Sequence, residues 1–190
     1  MHETALTEVK QGPIAELSAH ILNIAACFTD YHRAELANVV VDPSGEGQVV
    51  VMAANLFSAI RIEAEGTATE RVLLPGQLLH KMAKRHPEAE LVSVRPVDEV
   101  LISVRSFSSD STLAMTAPRG QACFLTFPEM AGPETMEAAP LTLSPKLLRK
   151  ALTPLEGAER VTLLQLPGSF RISANWPTRS ATVVLAGMAG

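Results

Sequence analysis

Cysteine is scarce in this sequence, and the two cysteines are far apart. Cys27 and Cys123 have no CxxC spacing, so two unpaired thiols are the simplest interpretation, which argues against a disulfide or a catalytic cysteine.

Apolar runs are short as well. Those at 49–54 and 181–186 end long before the roughly 20 residues that a membrane-spanning helix needs. The sequence therefore predicts no membrane helix.

Positive charge is also in short supply. The 16 lysines and arginines are outnumbered by 20 acidic residues, which gives a net charge of −4. Proteins that coat nucleic acid by bulk attraction usually present a basic face on a basic domain, so this chain does not belong to that class. Any contact with DNA must be local, unless the protein holds DNA by encircling it.

Signals for export, catalysis and cofactor binding are missing too. Residues 1–4 carry an acid and lack the basic segment of a signal peptide, so a cytoplasmic protein is expected.

No glycine-rich phosphate loop or catalytic carboxylate pair occurs. His80 and His86 lie on different helix faces, which argues against a metal site. The serines of 106–111 indicate a hairpin turn, and Trp176 and Tyr31 are isolated aromatics. We expect no enzyme activity and no cofactor.

Internal repetition is the main positive signal. Residues 72–115 resemble residues 141–185 at a shift of 69. An inserted residue then changes the shift to 70, which matches Ile102 with Ile172 and Thr112 with Thr182. The earlier matches pair Val72 with Leu141, Leu74 with Leu143, Leu78 and Leu79 with Leu147 and Leu148, Met82 with Ala151, Val92 with Val161, and Val94 with Leu163.

Each copy predicts a short strand, a helix and three more strands, because alternating apolar residues give way to a spacing of three to four and then return. Pro75 and Pro145 mark the helix starts. The first seventy residues fit the same plan. Their predicted elements are an opening strand at Thr7–Val9, a helix at Pro13–Phe28, and strands at Leu36–Val41, Gln48–Ala53 and Ala59–Ala64. The fold class is α+β, with antiparallel sheets and with helices on one face.

The three units suggest a division into domains. Two units would form one domain over 1–130, 131–139 would be a linker, and 140–190 would be a third, unpaired unit. Leu79, Met82, Leu148 and Ala151 are the expected core of the second and third helices. A unit without a partner should leave an apolar flank exposed, and such a flank usually marks an interface. We therefore expect a homo-oligomer with an even number of chains.

Several segments resemble the DNA sliding clamps, namely the bacterial DNA polymerase III beta-type clamps and their eukaryotic counterparts. The matching segments are Leu36-Ala-Asn-Val-Val-Val41, Gly47-Gln-Val-Val-Val-Met-Ala-Ala-Asn-Leu56, Val72-Leu-Leu-Pro-Gly-Gln-Leu-Leu79 and Phe127-Pro128. Ala54-Asn55 stands where the family has Thr-Asp. The resemblance implies the DNA clamp fold, with helices lining a hole for double-stranded DNA and sheets facing outward. Clamps carry six or four such units per chain, whereas this sequence has three.

The resemblance also implies where DNA would lie, on the polar faces of the helices. The second and third helices hold six of the 16 basic residues, and no acid lies between them to form stabilising pairs. The predicted DNA-binding residues are His80, Lys81, Lys84, Arg85, Lys146, Arg149 and Lys150. The first helix offers Glu16, His20 and Asn23 instead, so a continuous basic channel needs loops such as His32-Arg33.

Three functions follow as hypotheses. The first is a processivity or tethering factor that encircles DNA and binds DNA polymerase or other replication and repair proteins. The second is a clamp-fold interaction module that does not encircle DNA. The third, an enzyme of unknown type, is disfavoured because no catalytic set can be assembled from the sequence.

Overall fold

The computed structural model describes residues 12–119, 142–166 and 168–186. Its three helices are α1 (Ala19–Ala26), α2 (Gly76–Arg85) and α3 (Pro145–Leu152). Short 3-10 turns lie at Ala34–Leu36 and Thr153–Leu155. The strands are β1 (Ala15–Ser18), β2 (Asn38–Pro43), β3 (Gln48–Ala54), β4 (Ser58–Ala68), β5 (Val72–Pro75), β6 (Leu91–Pro96), β7 (Leu101–Phe107), β8 (Thr112–Pro118), β9 (Arg160–Leu166), β10 (Ser169–Asn175) and β11 (Arg179–Ala186).

Units 1 and 2 confirm the predicted order of a strand, a helix and three strands, and the described part of unit 3 shows the helix and the three strands. Unit 1 runs from β1 to β4, unit 2 from β5 to β8, and unit 3 contains α3 and β9 to β11. Every strand pairing among them is antiparallel. The expected fold class is therefore correct, with a curved antiparallel sheet and few helices.

Units 1 and 2 exchange their opening strands. The opening strand of unit 1, β1, pairs with β6 of unit 2, while the opening strand of unit 2, β5, pairs with β2 of unit 1. Helix α1 packs against α2 on the same side of the sheet. The exchange is reciprocal, so the two units complete each other as halves related by an approximate two-fold axis.

Unit 3 joins the sheet of units 1 and 2 through a single strand, β11. The whole of β11 but its last residue pairs with residues 58–64 of β4, and β9 and β10 follow in order beyond it. The predicted linker 131–139 lies outside the described residues, as do Cys123 and Phe127-Pro128. The division into a two-unit domain and a third unit stays a prediction.

The first helix is shorter than predicted. Residues 15–18 of the expected helix Pro13–Phe28 form strand β1 instead, and α1 begins only at Ala19. The same arrangement occurs in unit 2, where β5 runs directly into α2. The predicted opening strand Thr7–Val9 lies outside the described residues. Apolar spacing could not distinguish the two elements here, because Leu17 is a buried position whether it lies in a strand or in a helix that faces the sheet.

Helix α2 follows from its sequence. Leu78, Leu79 and Met82 recur at helical spacing and are buried against the sheet. Lys84 and Arg85 occupy the last turn, where cations favour the helix dipole. The helix ends at Arg85 because His86 precedes a proline and has left the helical conformation. The expected core is confirmed for Leu79, Met82 and Ala151, whereas Leu148 is only half-buried.

The sheet buries side chains on both faces. Val39, Val41, Val49 and Val51 belong to the main core under the helices. The alternate positions Val40, Val50 and Met52 form a second, smaller cluster on the opposite face, with Leu73 beside it. Burial on both sides explains why β2 and β3 are continuous apolar runs rather than alternating strands.

The register corrects the alignment of units 2 and 3. Val94 pairs with Val104, and its counterpart Leu163 pairs with Ile172. Ile172 therefore matches Val104 rather than Ile102, because the turn between β9 and β10 is shorter than the turn between β6 and β7, not longer. The predicted matches of Ile172 and Thr182 are each two residues out of place. A two-residue slip keeps every side chain on its face, so the predicted core pattern survived the error.

Ordinary turns join the strands as expected. The Ser106–Ser111 segment ends β7 and turns into β8. The amide of Ser108 donates a hydrogen bond to the carbonyl oxygen of Ser111, the amide of Ser111 donates one to the hydroxyl oxygen of Ser108, and the two hydroxyls are hydrogen-bonded to each other. Asn55 Oδ1 accepts hydrogen bonds from the amides of Phe57 and Ser58 at the turn from β3 to β4. The hairpin interpretation of the serine-rich segment is confirmed.

Burial sets the first expected result. Leu79 is 1% exposed in the main core, so Leu79→Ala should lower the free energy of unfolding by about 2 to 5 kcal/mol in urea denaturation. Leu56 is 49% exposed at the turn after β3, and Leu56→Ala should cost under about 0.5 kcal/mol. Equal losses for the two variants would show that α2 does not pack as described.

A close contact between units 1 and 2 predicts the effect of a second substitution on stability. A Cβ added at Gly76 would clash with the side chain of Thr29, lying 2.9 Å from its Cβ. Gly76→Ala should therefore destabilise the protein by about 1 to 3 kcal/mol, although alanine favours helices. The double variant Gly76→Ala/Thr29→Gly removes the clash, so its loss should be smaller than the sum of the single losses. Strict additivity in a double-mutant cycle would contradict the contact.

Candidate nucleic-acid interface

The three helices form one layer on the core side of the sheet. Helices α1 and α2 pack together, and α3 packs on β11. A cavity of about 560 Å³ separates α1 from α3, with Ile24 and Phe28 on one side and Thr153 and Pro154 on the other. The polar sides of all three helices therefore belong to the same surface of the molecule.

Helix α2 presents its predicted cations to solvent. Lys81, Lys84 and Arg85 are exposed, while His80 is half-buried at the edge of the helix. None of the three cations forms an ion pair with a described residue. Within the described ranges, no carboxylate neutralises them.

Helix α3 does the same. Lys146, Arg149 and Lys150 are exposed and form no ion pair within the described ranges. Lys150 lies with its ammonium 5.4 Å from the ring centre of Phe28, at the end of α1. This cation–π contact places the Lys150 ammonium of unit 3 next to the end of the first helix.

Three arginines elsewhere on the described chain lie beside acids. Arg61 pairs with Glu63, Arg71 with Asp42, and Arg119 with Glu70. The Arg71 guanidinium donates two hydrogen bonds to Asp42, and that carboxylate raises the pKa of Arg71. These three cations are neutralised by neighbouring acids, whereas the ranges of α2 and α3 hold six cations and no acidic residue. The local charge of the helix layer is thus more positive than the net charge of the protein indicates.

The first helix adds little charge of its own, as expected, but one expected member is displaced. Glu16 lies on β1, not on α1, because the helix begins three residues later. His20 faces the cavity between α1 and α3. Burial, and secondarily the charge of Arg179, lowers the pKa of His20. His20 is therefore a neutral ring at pH 7 and contributes no cation.

Arg179 is a residue of this surface that sequence reasoning missed. It opens β11 and lines the cavity beside His20 and Lys150. Its guanidinium lies 4.1 Å from the ring centre of Trp176, which holds it in place by a cation–π contact. Burial lowers the pKa of Arg179, but a guanidinium stays charged near neutral pH. No helical pattern includes this residue, since it reaches the helix layer from a strand.

The loop after α1 offers further polar groups. His32 and Arg33 are exposed, and the ring of His32 lies 4.3 Å from that of Tyr31, centre to centre. Within the described ranges, no cluster of His, Cys, Asp or Glu could hold a metal ion. Cys27 is a free, exposed thiol at the end of α1. None of the described helices is long and apolar enough to cross a membrane.

Known proteins resemble this chain in structure but not in sequence. No protein-family model and no curated protein sequence matches the chain. Solved structures do match. The DNA polymerase III subunit beta from Borrelia burgdorferi, in complex with a natural product, has a TM-score of 0.69 at 10% identity, over 99% of this chain and 67% of that one. The H. pylori beta clamp in complex with diflunisal has a TM-score of 0.67 at 11% identity, over 95% and 68%.

A shorter protein matches as well. A. fulgidus PCNA, bound to the C-terminal region of FEN-1, has a TM-score of 0.62 at 8% identity, over 93% of this chain and 98% of that one. The chain spans about two thirds of the length of the bacterial clamps. Identities this low show likeness of fold. Its repeated units, exchanged opening strands and single helix layer give this protein the DNA clamp fold.

Proposed function

We propose that this protein is a clamp-like tether that holds double-stranded DNA against its helix layer. The observation that carries the proposal is the concentration of cations on two helices of a clamp fold. Helices α2 and α3 hold six exposed cations and no acidic residue, and none of the six forms an ion pair with a described residue. The proposed DNA-contacting residues are His80, Lys81, Lys84, Arg85, Lys146, Arg149 and Lys150.

Encirclement fits an acidic protein. Phosphate contacts supply sequence-independent affinity, and each one is lost as salt rises. With a net charge of −4, the protein has few such contacts to use, so retention on DNA rests on a closed ring of several chains. The protein forms and breaks no bond in this role; it acts in replication or repair as a processivity or tethering factor, and not as an enzyme.

Protein partners are the second part of the proposal. One similar structure is the Helicobacter pylori beta clamp bound to a DNA ligase peptide, and another is PCNA bound to the C-terminal region of FEN-1. We infer that this chain likewise binds a DNA polymerase or another replication or repair protein. The partner would be carried along DNA by the tether.

A different function is favoured by the first helix. His20 is neutral at pH 7 and Asn23 is uncharged, so α1 contributes no cation to the helix layer. A clamp-fold interaction module that binds a replication protein without encircling DNA would need no charge there. The two functions differ in whether the topology of the DNA matters.

Topology separates the two functions. If the protein encircles DNA, it should remain on a nicked circular plasmid during gel filtration and be lost when the plasmid is linearised, because a ring slides off a free end. The measurement is the amount of protein that elutes with DNA before and after a single restriction cut. Equal retention on both forms, or none on either, would contradict encirclement.

Charge on the helix layer can be tested with a matched pair of variants. Lys84→Gln/Lys146→Gln should flatten the slope of log affinity against log salt by about 1.8, if each lysine neutralises one phosphate. Arg105→Gln/Arg171→Gln changes net charge equally but alters strands β7 and β10. It should leave the slope unchanged. If both doubles had the same effect, net charge rather than the helix layer would govern DNA binding.

A further inference from the structure

An apolar flank on unit 3 has no cover among the described residues. Val161 and Leu163 on β9 are 45% and 58% exposed, and Leu152 at the end of α3 is 41% exposed. Leu163 pairs with Ile172, which is fully buried in the core under the helices. Leu163 and Val161 therefore point to the helix side of the sheet, where apolar side chains are normally covered.

Unit 2 shows what normally covers these positions. The counterparts of Val161 and Leu163 are Val92 and Val94 on β6, and they are only 3% and 0% exposed. The two pairs differ in surroundings, not in chemistry. Units 2 and 3 thus provide a comparison within one chain, with and without a neighbouring unit.

The cover in unit 2 is the opening strand and helix of unit 1. Ala15 and Leu17 of β1 lie opposite Val94 and Val92, and α1 packs beside α2. In the described part of the chain, β9 pairs with β10 alone. The missing cover of unit 3 therefore has the form of one strand and one helix from another clamp-type unit.

We propose that this cover is unit 3 of a second copy of the chain. Units 1 and 2 cover each other reciprocally, through β1 on β6 and β5 on β2. A surface that is completed by a unit of its own kind can complete itself across a two-fold axis. Each copy would lay residues 142–144, just before its α3, along β9 of the other, and the two α3 helices would pack side by side. The pairing reproduces between chains the relation that units 1 and 2 have within one.

Charge predicts how this pairing responds to salt. Each α3 carries Lys146, Arg149 and Lys150, and packed helices lie about 8 to 10 Å apart. Like charges at that distance repel, and salt screens them over a Debye length of about 10 Å at 0.1 M. Apolar pairing of unit 3 should therefore hold or strengthen as salt rises. DNA binding changes in the opposite direction, so the two are distinguishable.

The test is sedimentation equilibrium of the full chain without DNA. The wild-type protein should associate in even steps at micromolar concentration and should not dissociate between 0.1 and about 0.5 M salt. Leu163→Asp should weaken the association at least tenfold. Because Leu163 is more than half exposed, this variant should keep its fold, which far-UV circular dichroism and urea denaturation verify. Leu56→Asp places the same charge on another exposed leucine and should associate like the wild type.

Three outcomes would overturn the proposal. The first is a wild-type monomer at about 100 µM, which would mean that the chain itself or a different protein covers the flank. The second is association that Leu163→Asp leaves unchanged, which would place the interface elsewhere. The third is equal weakening by Leu56→Asp. None of these measurements contains DNA, so loss of the proposed DNA role would leave the result as it stands.

Discussion

The pairing of β4 with its neighbours joins unit 3 to unit 1. Its 11 residues meet β3 along one edge, and β11 and then β1 along the other. Ile60, the third residue of β4, lies between Ala53 of unit 1 and Val183 of unit 3, and all three are fully buried. Since ladder hydrogen bonds and core burial coincide in this strand, its register fixes where α1 and α3 stand relative to each other.

The basic residues of this protein are unevenly distributed. Arg61, Arg71 and Arg119 have carboxylates beside them, while the six cations of α2 and α3 have none among the described residues. Short-range pairing removes the field of the former at the surface. Six of the 16 basic residues thus lie on two helices that carry no acid, although the chain as a whole is acidic. Net charge alone is therefore a poor guide to what such a protein binds.

The repeat and the helix cations could be predicted from the sequence because both follow local periodicity. Leu78, Leu79 and Met82 define one helix face, and the basic residues lie on the other. The start of α1 could not be found in this way, because a four-residue strand running into a helix leaves no break in the apolar spacing. The position of Arg179 beside His20 depends on contacts between units 1 and 3, which are far apart in sequence.

A sheet that continues from unit 1 into unit 3 also protects the chain. Without β11, residues 58–64 of β4 would present seven residues of bare ladder groups flanked by buried valines and isoleucines. An edge of that length is a template for strand addition by any other extended chain. The third unit therefore covers this edge of β4, and a chain cut back to its first two units would expose it to such strand addition.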